Sequence, residues 1–191
     1  MRELVYYVAV SLDGFIAGPN GEFDALDAEG DHMATIYERY PDAMPTAGAA
    51  ALGVEQSGAV FDTVLMGWNT YAIGLPFGMT SPYSHLRQIV FSRSHRAEGA
   101  NLVVVDDDPV DVVRALKAEA GGTDIWLCGG GALAGQLVDE IDRLVLKVNP
   151  KLFGTGIPLF AGLDYRPRAF EPVESTSHGS GVTIAEFARR R

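Results

Sequence analysis

Cysteine is almost absent. Cys128 stands alone among 191 residues, so no internal disulfide framework can form, and four scattered histidines supply no zinc-ligand spacing. Basic residues are short as well: 15 Lys and Arg against 25 Asp and Glu give a formal charge of -10, which disfavours nucleic-acid backbones and anionic membrane surfaces as partners. No apolar run has the length of a membrane span, and the opening "MRELVYYVAV" is too short and too broken for a signal segment. Repeats, linkers and low-complexity tracts are also missing. These absences lead to the expectation of a soluble cytoplasmic protein with no nucleic-acid, membrane or metal partner. What is plentiful is apolar content, 47%, enough for one substantial core, so a single domain over 1–191 is expected.

Strand signals recur along the chain: "LVYYVAVS", "DTVLMG", "QIVFSRS", "NLVVVD", "DIWLCG", "RLVLKVN", "AFEPVESTS" and "GVTIAEFA". The first five are continuous apolar runs, the pattern of strands buried on both faces of an α/β sheet. The last two alternate and flank His178-Gly179-Ser180-Gly181, which predicts an antiparallel hairpin at the end of a mostly parallel sheet. After the first strand the chain does not simply turn. It resumes an apolar patch, Phe15-Ile16-Ala17, before the Gly18-Pro19-Asn20-Gly21 turn, as though something must lie against it.

The clearest helix is "DDPVDVVRALKAEAGG", with Asp108 as cap, Pro109 at the first position and Gly121 at the stop; Val110, Val113, Leu116 and Ala120 fall on one face. A second is predicted from Gly131 to about Ile141, on the four-residue spacing of Leu133, Leu137 and Ile141. Between the first two strands, residues 23–59 are acidic at first and then rich in Ala, Gly and Pro. "GDHMATIYERY" reads as a helix capped by Asp31; the whole insertion is either a lid or pocket wall, or a surface excursion.

Three strand ends carry ligand-binding chemistry. "IWLCGGGALAGQLVDEI" runs from a buried strand through Gly129-Gly130-Gly131 into a helix, which lets a backbone approach a ligand closely and offers unpaired amides to an anion such as a pyrophosphate. The spacing also satisfies G-x-G-x-x-A, but the next strand ends in Lys147 and Asn149 where a dinucleotide-binding Rossmann unit needs an acidic ribose partner, and too little chain follows. The alternative is a Gly-rich turn that only packs helix on strand. "TVLMGWNTYAIGL" repeats the arrangement with Gly67, Asn69 and Thr70, and "QIVFSRS" ends in Ser92-Arg93-Ser94, a guanidinium between two hydroxyls. Together they favour a phosphorylated cofactor.

The pieces "VAVSLDGFIAG", "MGWNTY", "FSRS", "CGGGALAGQLVDEID" and "NPKLFGTGIPLF", in this order, resemble the dihydrofolate reductase superfamily, in particular the branch containing the reductase domain of bacterial riboflavin biosynthesis. The resemblance covers nearly the whole chain. It implies a twisted, mainly parallel sheet with flanking helices and a C-terminal antiparallel hairpin, and an NADPH-dependent reduction of a pterin or pyrimidine-type heterocycle. It further implies Ala9 and Ile16 beside the nicotinamide, Gly67, Trp68, Asn69 and Thr70 with Gly129, Gly130, Gly131, Ala132 and Leu133 around the pyrophosphate, and Ser92 with Arg93 toward the adenosine. A cis peptide at Gly129-Gly130, Asp13 of "SLDG" beside the substrate, and a homodimer supported by the "KLFGTGIPLF" loop belong to the same set of implications.

Departures from the family pattern are equally specific. Trp68 stands where relatives often have Arg, Ala132 where a basic residue is common, and Cys128 where riboflavin reductases usually have Glu. Arg93 is left to make phosphate contacts, with Trp68 available to stack on adenine. Cys128 has no base beside it in sequence and reads as a packing residue. The carboxylate that dihydrofolate reductases use near the pterin has four candidates here, Asp24, Asp27, Asp31 and Glu38. A nucleotide-binding protein on the same fold without catalysis, and a scaffold whose glycines serve packing alone, are the alternatives.

Overall fold

The eight predicted strands all form. They are β1 (Leu4–Ser11), β3 (Phe61–Gly67), β4 (Arg87–Phe91), β5 (Leu102–Val105), β6 (Asp124–Gly129), β7 (Arg143–Asn149), β9 (Phe170–Ser177) and β10 (Thr183–Arg189). In a computed structural model describing residues 1–190 they make one sheet of order β5-β4-β3-β6-β1-β7-β10-β9. The first six in that order are mutually parallel, and β10 pairs antiparallel with both β7 and β9. This is the mostly parallel sheet with a C-terminal antiparallel hairpin that the strand pattern predicts and that the family resemblance implies.

Alternation along each strand divides the interior into two layers. One carries Val5, Tyr7, Val64, Met66, Trp126 and Val145 against Ile36 of α1 (His32–Arg39), Tyr40 just after it, and Ala49 of α2 (Thr46–Leu52). The other carries Leu4, Tyr6, Leu65, Ile125, Leu127 and Leu144 against Val113 and Leu116 of α4 (Pro109–Ala118) and Leu133 of α5 (Gly131–Gln136). Fully buried side chains such as Leu65 and Ile125 each contribute about 2 kcal/mol by leaving water. The insertion 23–59 is therefore one wall of the core and not a surface excursion. Asp42 anchors it: the carboxylate is wholly buried and accepts the amides of Gly58 (3.0 Å), Val60 (2.9 Å) and Phe61 (3.1 Å).

Helix α4 starts as expected, with the Asp108 carboxylate accepting the Val110 amide at 2.8 Å, and ends at Ala118, before Gly121. Two other boundaries differ from expectation. Asp31 occupies the position before α1 but makes no cap bond, because its carboxylate accepts Gly179 N (2.6 Å) and Ser180 N (2.9 Å) at the tip of the β9–β10 hairpin. Helix α5 stops at Gln136 and does not reach Ile141. The Arg189 guanidinium captures the carbonyls of Val138 and Ile141, so the chain after α5 continues as turns that still bury Leu137 and Ile141.

The apolar patch after β1 is strand β2 (Phe15–Ala17), paired antiparallel with β8 (Ile157–Pro158) in a separate two-stranded ribbon. Leu159 N donates to Gly14 O at 2.8 Å and Ala161 N to Gly131 O at 2.9 Å, so the 157–161 segment ties β2 to α5. Contact there is close enough to require glycine. A Cβ on Gly131 would lie 2.1 Å from Pro158 O, and one on Gly135 would lie 1.9 Å from Ala161 O.

Candidate functional site

Because β3, β4, β5 and β6 run parallel, their carboxyl ends open on one edge of the sheet, the place where α/β folds leave room for a ligand. There lies a cleft of about 440 Å³, lined by Gly67, Trp68 and Asn69 after β3, Phe91, Ser92 and Arg93 at the end of β4, and Val105, Asp106 and Asp107 at the end of β5. Gly130, Gly131, Ala132, Leu133 and Gln136, together with Ile157, close it. Its walls are mostly apolar, with a few polar groups converging, as small-molecule sites are built.

The floor is backbone. The peptide between Gly129 and Gly130 is cis. A Cβ on Gly130 would find only Thr70 Oγ1 at 3.4 Å and Ile16 Cδ1 at 3.9 Å, so Thr70 and Ile16 flank the triplet without filling it. The first intrahelical bond of α5 is Ala134 N to Gly130 O at 3.0 Å, which leaves the amides of Gly131, Ala132 and Leu133 without helical acceptors. Helix α3 (Trp68–Ala72) begins directly at the opposite wall. The Trp68 ring stacks on His95 with centroids 4.3 Å apart and planes 11° from parallel, and Ser92 Oγ holds the His95 amide at 2.9 Å. Ala9 is not part of this lining. It lies in β1 with Lys147 as its register partner on β7.

Asp13 is a loop clamp. Its carboxylate accepts Ser11 Oγ (2.6 Å), Phe153 N (3.1 Å) and Gly154 N (2.7 Å). The Ser11 hydroxyl and those amides lower its pKa to about 2. Asp13 is a carboxylate at neutral pH: it can accept hydrogen bonds but cannot deliver a proton. Of the four other acids, Asp27 pairs with Lys151 at 2.6 Å, Asp31 holds the hairpin tip, and Asp24 and Glu38 are exposed. None lines the cleft.

Near the ends of β1 and β7 lie two other titratable groups, the buried His32 and the half-buried Lys147. His32 contacts Ser180 Oγ at 3.0 Å and Asp27 O at 3.3 Å, and burial, then the Lys147 charge, lower its pKa. Lys147 Nζ donates to Asp27 O at 3.0 Å, and its pKa is lowered by burial. Cys128 precedes the glycines, half-buried beside Tyr83, and desolvation pushes its thiol up to about 12, the opposite of the low-pKa setting an activated thiol needs.

The RibD C-terminal domain family model matches residues 2–184. The chain belongs to the RibD C-terminal domain family. Within reach of this family lies the Bacillus subtilis (strain 168) uncharacterized protein YwjB, 31% identical over 164 residues, covering 83% of each chain. A protein from Shewanella sp. PV-4 provisionally assigned to riboflavin biosynthesis superposes with a TM-score of 0.71 at 25% identity, covering 100% of both chains. Dihydrofolate reductase from Enterococcus faecalis, complexed with NADP(H) and RAB-propyl, gives a TM-score of 0.62 at 16% identity over 99% of this chain and 97% of that one. The last likeness is one of fold. On this RibD-type fold, sequence reading missed Asp106 and Asp107, although "VVVDDDP" places them at a strand end parallel to that of Arg93. It also missed His32, which figures there only as part of the helix in the 23–59 insertion. No helix among the described residues is long and apolar enough to cross a membrane.

Proposed function

We propose that this chain is a single-domain, cytoplasmic nicotinamide-dependent reductase that transfers hydride to a pterin or pyrimidine-type heterocycle, in the manner of 5-amino-6-(5-phosphoribosylamino)uracil reductase or dihydrofolate reductase. The observation that carries this reading is the convergence of Gly67, the Gly130-Gly131 backbone and Ser92-Arg93 on one cleft. NADPH is the cofactor that the family resemblance implies, and when bound it supplies the hydride. The residues present fit such a group: the amides of Gly131 to Leu133 are free for a pyrophosphate, Thr70 Oγ1 stands beside the triplet, and Arg93 provides a cation.

The chain's own residues would bind and orient. Ile16, held by the β2–β8 ribbon, forms an apolar wall at the inner end, and Asp13 fixes the 153–154 loop that borders it. The test is direct. Micromolar NADPH is expected to quench tryptophan fluorescence and raise the melting temperature, with the quench diminished in Trp68→Phe. No shift with either NADPH or NADH would end the proposal.

A second reading, nucleotide binding without catalysis, is favoured by one observation: none of the candidate acids lines the cleft. Oxidation of bound cofactor by a pterin or ribosylaminopyrimidinone would remove it.

A further inference from the structure

The outer end of the cleft carries an unusual charge balance. Arg93 follows β4, and Asp106 and Asp107 follow the adjacent parallel strand β5, so all three line the same end. Arg93 makes no ion pair among the described residues. Arg96, three residues further on, reaches Asp106 at 3.6 Å, with both side chains about two-thirds exposed, a pair that water and salt weaken strongly. Among the described residues no cation pairs with Asp107. The third acid of the run, Asp108, is turned into α4 as its cap.

We infer that Asp106 and Asp107 are specificity-determining residues that accept hydrogen bonds from an adenosine ribose diol and oppose a 2′-phosphate, so that the cleft distinguishes weakly between NADPH and NADH. This rests on the nicotinamide-cofactor reading. A ribose 2′-hydroxyl is a donor that a carboxylate accepts, the arrangement that acidic strand-end residues provide for unphosphorylated dinucleotides elsewhere. A 2′-phosphate replaces that donor with a near-dianion. Beside two exposed carboxylates such a group loses roughly tenfold in affinity at low salt, which offsets the gain from the unpaired guanidinium of Arg93. Trp68 and Ala132, lacking charge, contribute nothing that favours the phosphate.

The experiment titrates NADPH, NADH, 2′,5′-ADP and 5′-ADP against the full chain, the Asp106→Asn/Asp107→Asn variant and Arg93→Gln, reading tryptophan fluorescence and calorimetric heat. Both carboxylates are exposed, and unchanged melting curves will verify that the variants fold. For the unaltered chain, the dissociation constants of NADPH and NADH are expected within about tenfold of each other. The double variant should shift the ratio toward NADPH by about tenfold at low ionic strength and by less at roughly 0.5 M salt, where the Debye length is short. Arg93→Gln should shift it the other way. Binding of both dinucleotides with a ratio that the double variant leaves unmoved would overturn the role of the aspartates alone. Binding of neither dinucleotide by the unaltered chain would overturn the cofactor reading and this inference with it.

Discussion

Gly131→Ala isolates the contact between α5 and the 157–161 segment. The added Cβ would stand 2.1 Å from Pro158 O, 3.3 Å from Pro158 C and 3.6 Å from Leu159 O. A carbon and a carbonyl oxygen need more than about 3 Å, so one backbone must retreat by roughly 1 Å. The retreating segment is held by Ala161 N to Gly131 O (2.9 Å), Leu159 N to Gly14 O (2.8 Å) and Tyr6 Oη to Leu159 O (3.0 Å). Overpacking costs about 1–3 kcal/mol, and weakening two such hydrogen bonds adds about 2. The better helix propensity of alanine returns about 1, leaving a net loss of about 3 kcal/mol. Urea unfolding followed by circular dichroism should show a lower midpoint at an unchanged slope. Gly48→Ala, in α2 with nothing within 4 Å of its Cβ, is the matched control and should be neutral or stabilising. A Gly131→Ala loss under about 1 kcal/mol would refute the close-contact argument.

Two further outcomes follow from the ionisable groups. The pKa of Asp13 is lowered on folding, so its contribution is present above the unfolded value near 4 and disappears as pH falls toward about 2. Asp13→Asn should therefore flatten the pH dependence of the melting temperature across that window, and an unchanged profile would contradict the clamp. Cys128, half-buried and with its thiol pushed up to about 12, should react with a disulfide reagent at pH 8 much more slowly in the folded protein than in urea; equal rates in the two states would contradict the raised pKa.

Continuous apolar runs made the sheet legible, since β-branched segments of five or more residues have few other uses. Strands β2 and β8 span three and two residues and were beyond such a signal, although Phe15-Ile16-Ala17 did announce an unmet partner. The length of α5 was misread for a physical reason: Leu137 and Ile141 stay buried at helical spacing after the helix has ended, because Arg189, distant in sequence, takes the carbonyls. Asp31 offered the side chain of a helix cap but met a stronger pair of donors in the hairpin tip. Much of the cleft lining could be named because glycines and strand-end polar residues are local signals. Asp42 and His32 could not, because their burial is decided by chain segments that meet only in three dimensions.

The stretch from Lys151 to Ala161 contains almost no regular structure, yet Asp13, Gly14, β2, Tyr6 and Gly131 each fix a point along it. Length is consequently the property least free to vary here. A single inserted residue would move the Asp13 attachment out of step with the α5 attachment, whereas the turn at Gly121, where an added Cβ meets open space, can be cut, lengthened or joined to another domain. For anyone circularly permuting this protein or grafting a reporter into it, the irregular segment is the one to leave alone.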